Sequence, residues 1–202
     1  IASPASYPVV PSTGQAGSDS SPSRIFSTTI HASGASVRSR SRYPTGGTSI
    51  DWFVPSPDGA RVAVSLSRHG SEDGTLHIFE VETGAALADR VPRVQYPTGG
   101  GSVAWTADGQ GVFYTRYPHP GERPEADLNF YQQVYFHALG APVEADTYVI
   151  GDAFPRIAEI RLEASEDGRY LLVVVANGDG GDFAHYLRGP EGEWRQLTQF
   201  EE

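Results

Sequence analysis

From residue 43 onward, apolar and polar side chains alternate in short runs separated by Gly, Pro and Asp. Three such runs place apolar residues at every second position: Ile50, Trp52 and Val54; Val103 and Trp105; Ile160, Leu162 and Ala164. Period-two alternation is the signature of a strand with one buried face. Each run enters a turn of the form Ser/Thr-x-Asp-Gly: Ser56-Pro57-Asp58-Gly59, Thr106-Ala107-Asp108-Gly109 and Ser165-Glu166-Asp167-Gly168. Strand-like segments leave these turns at 61–67, 111–116 and 169–176. Glycine accepts the positive φ of a tight turn and aspartate bonds to nearby backbone, so each unit is predicted to begin with a hairpin.

A third strand is predicted in each unit at 75–81, 133–139 and 183–187, and an outer strand at 86–94, 147–150 and 193–197. Four strands in about fifty residues, repeated, is the arithmetic of a propeller blade. The blades are expected near 43–95, 96–150 and 151–202. A second echo supports the repeat: Tyr43-Pro44-Thr45-Gly46-Gly47 and Tyr96-Pro97-Thr98-Gly99-Gly100 each begin nine residues before a tryptophan. Helical periodicity is weak throughout, so the class is all-β. A β-sandwich also has short strands and glycine-rich turns, but regular recurrence of a four-strand unit favours the propeller. Closed propellers have about four to eight blades. Three blades therefore form an incomplete ring whose terminal edges need neighbours.

Composition changes this picture mainly at the N-terminus. Residues 1–42 are rich in Ser, Pro and Gly and poor in large apolar side chains. Such a stretch buries too little apolar surface to offset the entropy of ordering it. It is expected to be disordered, or else to be a segment read out of frame, because composition shifts abruptly near Tyr43. Its four arginines against Asp19 give +3, leaving −13 for the rest of a chain whose net charge is −10. An acidic body argues against binding a phosphate backbone, so nucleic acid is not an expected partner. The longest apolar run, 171–176, is far too short for a membrane-spanning helix. Cysteine, methionine and lysine are absent, which excludes disulfides and thiol chemistry. The chain begins at Ile1 without a signal-like segment, as a processed protein or a fragment would. Cytoplasm and periplasm both fit it.

The ordered series of motifs resembles the prolyl oligopeptidases, a family of serine peptidases. Asp51-Trp52-Phe53 with Ser56-Pro57-Asp58-Gly59, then Gly70-Ser71-Glu72 and Thr75-Leu76-His77, is similar to an early propeller blade of that family. Ala104-Trp105-Thr106-Ala107-Asp108-Gly109, Phe113-Tyr114-Thr115-Arg116-Tyr117-Pro118, Gln133-Val134-Tyr135-Phe136-His137 and Glu166-Asp167-Gly168-Arg169-Tyr170-Leu171 continue the likeness. The resemblance implies a propeller of about seven blades that restricts access to an α/β-hydrolase domain carrying a Ser-Asp-His triad. That enzyme cleaves short peptides after proline, so the implied partners are the hydrolase domain of the same parent chain and short proline-containing peptides.

The chemistry of that hydrolase is not expected within this chain. A nucleophile elbow needs Gly-x-Ser-x-Gly, and the nearest approach, Gly100-Gly101-Ser102-Val103-Ala104, has Ala104 in the last position. His31, His69, His77, His119, His137 and His185 show no metal-ligand spacing. His77 and His137 fall in equivalent third strands and read as packing or surface residues. Asn177-Gly178-Asp179-Gly180-Gly181-Asp182 offers two carboxylates but lacks calcium-loop spacing, so it reads as a polar turn, with a substrate-facing role as the alternative. Asp58, Asp108 and Asp167 recur once per blade and read as turn-closing; Trp52 and Trp105 read as interblade packing. No catalytic, cofactor-binding or metal residue and no cofactor is expected here. The competing function is a stand-alone propeller that binds proteins or ligands. A third is a related propeller-bearing serine peptidase of dibasic or dipeptidyl specificity.

Overall fold

The computed structural model describes residues 47–96 and 100–200. The expected disorder of 1–42 and most of the two Tyr-Pro-Thr-Gly-Gly segments lie outside the described residues.

Among the described residues, twelve strands form three antiparallel sheets, each a meander in chain order. The first blade contains β1 (Thr48–Pro55), β2 (Arg61–Arg68), β3 (Gly74–Glu80) and β4 (Ala86–Gln95). The second contains β5 (Val103–Trp105), β6 (Gly111–Arg116), β7 (Gln133–Ala138) and β8 (Thr147–Ile150). The third contains β9 (Ala158–Ala164), β10 (Leu171–Asn177), β11 (Phe183–Arg188) and β12 (Trp194–Thr198). Three short 3-10 turns are the only helical segments among the described residues. The fold is all-β: three four-stranded blades of an incomplete propeller. Most strands begin and end within a residue or two of their sequence expectation, the frayed precision normal for such boundaries.

The three Ser/Thr-x-Asp-Gly turns are built alike. In the first, the Ser56 hydroxyl donates to Asp58 Oδ1 at 2.6 Å, the same oxygen accepts from Ala60 N–H, and Arg61 N–H donates to Ser56 Oγ. Thr106 with Asp108, and Ser165 with Asp167, repeat the pattern. Gly168 has φ +65, and a Cβ there would lie 2.5 Å from Ala107 Cα, because the third turn stacks on the second. Glycine is therefore required at this position twice over.

Alternation decides which seam each side chain enters. In β5, Val103 and Trp105 join Ala63, Leu76, Ile78, Val91 and Val94 between the first two blades, while Ala104 points the other way. The second seam gathers Ala104, Val134, Ile160, Leu162, Leu171, Val173 and Val175. Full burial of an aliphatic side chain contributes about 1.5–3 kcal/mol, so two largely apolar seams of this kind hold three otherwise marginal sheets together.

One expectation fails at Ile50. Alternation put it beside Trp52 and Val54, but a bulge at Asp51 pairs Ile50 with Leu66 and Trp52 with Ser65. Leu66 and Ser65 face opposite sides of β2, so Ile50 turns to the outer face and is 65% exposed. The extra residue is anchored by its carboxylate, which accepts from the Ser65 and Ser67 hydroxyls at 2.7 Å each.

The middle blade also caps unpaired strand edges of its neighbours. Trp105 Nε1 donates to the Val54 carbonyl of β1 at 3.0 Å. On the other side, Ile160 N–H of β9 donates to Gln132 Oε1 and Leu162 N–H donates to Ser102 Oγ. Buried backbone groups that lack a ladder partner are thereby satisfied by side chains.

Candidate functional site

The long β6–β7 connection, residues 117–132, shares one face of the molecule with the β8–β9 and β10–β11 connections. A 3-10 turn, Glu125–Asp127, folds it. Arg156, from the β8–β9 connection, pins it: Nε donates to Asp127 Oδ1 at 3.0 Å, and the guanidinium lies 3.5 Å from the Phe130 ring centre. Tyr131, held at φ +58, donates its N–H to the Arg156 carbonyl. Arg93 of β4 reaches the Leu128 carbonyl from the first blade. These ties create a hollow of about 240 Å3 lined by Tyr117, Asn129, Phe130, Arg156, Ile157 and Asp179, among others. Asp179 comes from the Asn177–Asp182 loop, where Gly178–Gly180 forms a 3-10 turn. The lining supplies an aromatic ring, a guanidinium and a carboxylate, which are groups that bind and orient a ligand.

A second cleft, about 750 Å3, lies along the outer part of the first seam. It is lined by Arg90, Tyr114, Arg116, His119, Glu122 and Asp146, with others. Arg116 is buried there, stacked 3.9 Å from the Tyr135 ring centre and bonded through both terminal nitrogens to Glu122. That guanidinium holds the Glu122 carboxyl below its ordinary value, while burial, then the Arg116 charge, lowers His119.

Beside this cleft sits the most unusual group of side chains. His137 is completely buried on β7; its Nδ1 lies 2.6 Å from Asp146 Oδ1 and its Nε2 lies 3.0 Å from Asp89 Oδ1. Asp89 is on β4, so the pair crosses the seam. Tyr114 donates its hydroxyl to Asp146 Oδ2, and Gly140 N–H donates to Asp89 Oδ1. Burial alone would lower the histidine, but its bonds to Asp146 and Asp89 outweigh that and raise it. Burial likewise opposes ionisation of Asp89, yet the Gly140 and His137 bonds hold it below the ordinary range. Burial and then the Asp146 bond push the Tyr114 hydroxyl up.

The residues singled out in the sequence do not converge on one place. Ser102 is a joint between blades: its N–H donates to Thr115 Oγ1 and its hydroxyl accepts from Leu162. Asp58, Asp108 and Asp167 close turns. The Asp108 carboxyl is kept low by the Thr106 hydroxyl, and the Asp167 carboxyl is held at about 2 by Ser165 and then Arg169. Trp105 bridges the first seam, and Trp52 packs against the same cluster. His77 stacks on Phe79 on the outer face of the first blade and is lowered to about 4, first by burial and then by Arg90 and Arg68. His185 bonds to Thr198 Oγ1. His137 is thus more than a packing residue. The sequence carries one signal for its cluster: Asp89 alternates with Leu87 and Val91, which marks a carboxylate aimed inward.

Successive four-stranded meanders, joined by stacked turns and carrying hollows among their connecting loops, define a blade array from a β-propeller domain. The profile of the prolyl oligopeptidase N-terminal β-propeller domain matches residues 42–202. This chain belongs to the prolyl oligopeptidase family and forms part of that propeller. It is 32% identical over 139 residues to a prolyl endopeptidase of Elizabethkingia meningoseptica, covering 68% of this chain and 19% of that protein. A solved prolyl endopeptidase superposes with a TM-score of 0.66 at 24% identity, covering 75% of this chain and 22% of the other. The apo prolyl oligopeptidase B of Galerina marginata gives a TM-score of 0.63 at 20% identity, with 76% and 23% covered. These two structures share the fold; the chain spans about a fifth of the relatives' length.

Proposed function

We propose that this chain is part of a propeller that restricts access to the catalytic domain of a serine endopeptidase acting on short peptides after proline. In this reading its partner is the α/β-hydrolase domain of the same parent chain. In this reading the nucleophile and base come from that domain rather than from this chain. The observation that carries the reading is the family assignment to an N-terminal propeller domain across 42–202. It is supported by the lining of the loop-face hollow, where Phe130, Arg156 and Asp179 offer binding contacts. The serine chemistry, with its oxyanion hole, would belong to the partner domain.

Two assays test this. A proline-containing chromogenic peptide should remain uncleaved by the purified chain and be cleaved by the parent enzyme. In the parent, deleting the segment equivalent to 43–202 should admit longer polypeptides. Cleavage by the clean chain that a serine-directed reagent abolishes would overturn the division of labour. An unchanged substrate length limit after deletion would overturn the gating role. A parent protein lacking any hydrolase domain would instead favour the free-standing binding propeller.

A further inference from the structure

His137 and its two carboxylates belong neither to the loop-face hollow nor to the turns, and they sit where ionic groups are costly. A fully buried histidine within hydrogen-bond distance of two aspartates through its two ring nitrogens donates from both when both carboxyls are ionised, because a carboxylate oxygen only accepts. With both aspartates ionised, this geometry is that of an imidazolium. Its two partners differ in location: Asp146 follows the Val143–Ala145 turn of the second blade, and Asp89 belongs to β4 of the first.

We propose that the Asp89–His137–Asp146 cluster is a pH-operated latch across the seam between the first and second blades. It is independent of the peptidase reading. In the closed state one positive charge is shared by two carboxylates, with the Tyr114 hydroxyl on Asp146 and the Gly140 N–H on Asp89 satisfying other lone pairs. Loss of one ring proton to solvent leaves a nitrogen lone pair facing a carboxylate oxygen about 3 Å away, within the contact distances above. Attraction across the seam then becomes repulsion. The other charged groups nearby are Arg90 on β4, Arg116 on β6, Glu122 in the β6–β7 connection, and Glu144, all on the adjoining cleft with His119. Arg116 is already neutralised by Glu122 and so does not replace the imidazolium. Because the histidine is raised, its contribution is complete below about pH 6.5 and disappears as pH rises through the folded-state value. Because Asp89 is lowered, its contribution is complete above about pH 3.8 and disappears as pH falls through its own folded-state value. The latch is thus tightest between those limits.

The test uses the protein at its full isolated length, labelled with 13C-histidine for NMR and followed in parallel by amide exchange. His137 should titrate above pH 6.5. Above that pH, protection of peptides spanning 134–146 should fall by up to about tenfold per pH unit until the titration is complete, after correction for intrinsic exchange. Peptides across 158–164, at the second seam, should keep theirs. His137→Gln should remove the pH dependence at the first seam and leave the second unchanged. A His137 titration at or below 6.5 would overturn the latch, and this reading needs no variant to fold. An identical pH slope in His137→Gln, or in Asp89→Asn, would overturn it equally.

Discussion

The two interblade seams bury comparable apolar clusters but satisfy their polar groups by different means. Between the second and third blades, the Gln132 side-chain amide donates to the Gly100 carbonyl and accepts from Ile160, while Ser102 accepts from Leu162. All of those groups are neutral. Between the first and second, besides Trp105 on Val54, the polar centre is a histidine between two aspartates. A neutral amide holds its partners at any ordinary pH, whereas a buried charge holds them only while it exists. Two seams of one repeat can therefore share packing and differ in what loosens them.

The largest test of that comparison is to damage the packing alone. Ile78→Ala at the first seam and Ile160→Ala at the second should each lower stability by about 2–5 kcal/mol, equally at pH 6 and pH 9, in denaturant unfolding. A pH-dependent loss for either would blur the distinction. The next test exchanges the polar centres. Asp89→Asn should cost about 1–3 kcal/mol at pH 6 and less at pH 9. Gln132→Leu leaves Ile160 N–H and the Gly100 carbonyl without their partner, so it should cost a similar amount at both pH values.

Smaller effects come from two exposed or half-exposed sites. His77 lies on the third strand of the first blade, the strand equivalent to that of His137, yet it is held at about 4 by burial, Arg90 and Arg68. Its contribution is present above about pH 6.5 and lost as pH falls through about 4, the reverse of His137. Histidine NMR should show the two titrating on opposite sides of 6.5. Smallest of all, Asp108→Ala should lower the unfolding temperature by no more than about 2 °C, since the turn is solvent-exposed. A larger fall would mean that stacking between turns matters more than their own bonds.

The blade pattern was legible because period-two alternation and Asp-Gly turns are local, and the three turns repeat one bonding scheme residue for residue. Ile50 was misplaced because a single bulged residue reverses every facing rule before it, and nothing in Ser49-Ile50-Asp51-Trp52 marks the bulge. The Asp89–His137–Asp146 cluster was not legible as a unit. Its members lie on separate strands and loops, and only docking of one blade on another brings them within bonding distance. The loop-face hollow has the same character: Arg156 meets Phe130 and Asp127 through tertiary contact, across a separation that no motif encodes. The assignment of residues to strands is local information; the chemistry of the seams is not.

The capping of strand edges has a consequence for synthesis. The Val54 carbonyl waits for an indole 51 residues further along the chain, so β1 is made with its inner edge open. β9 emerges under opposite circumstances, because Gln132 and Ser102 have already been made when Ile160 and Leu162 appear. As the polypeptide leaves the ribosome, the first blade is the one that needs shelter, and the second blade is the template on which the third can set at once.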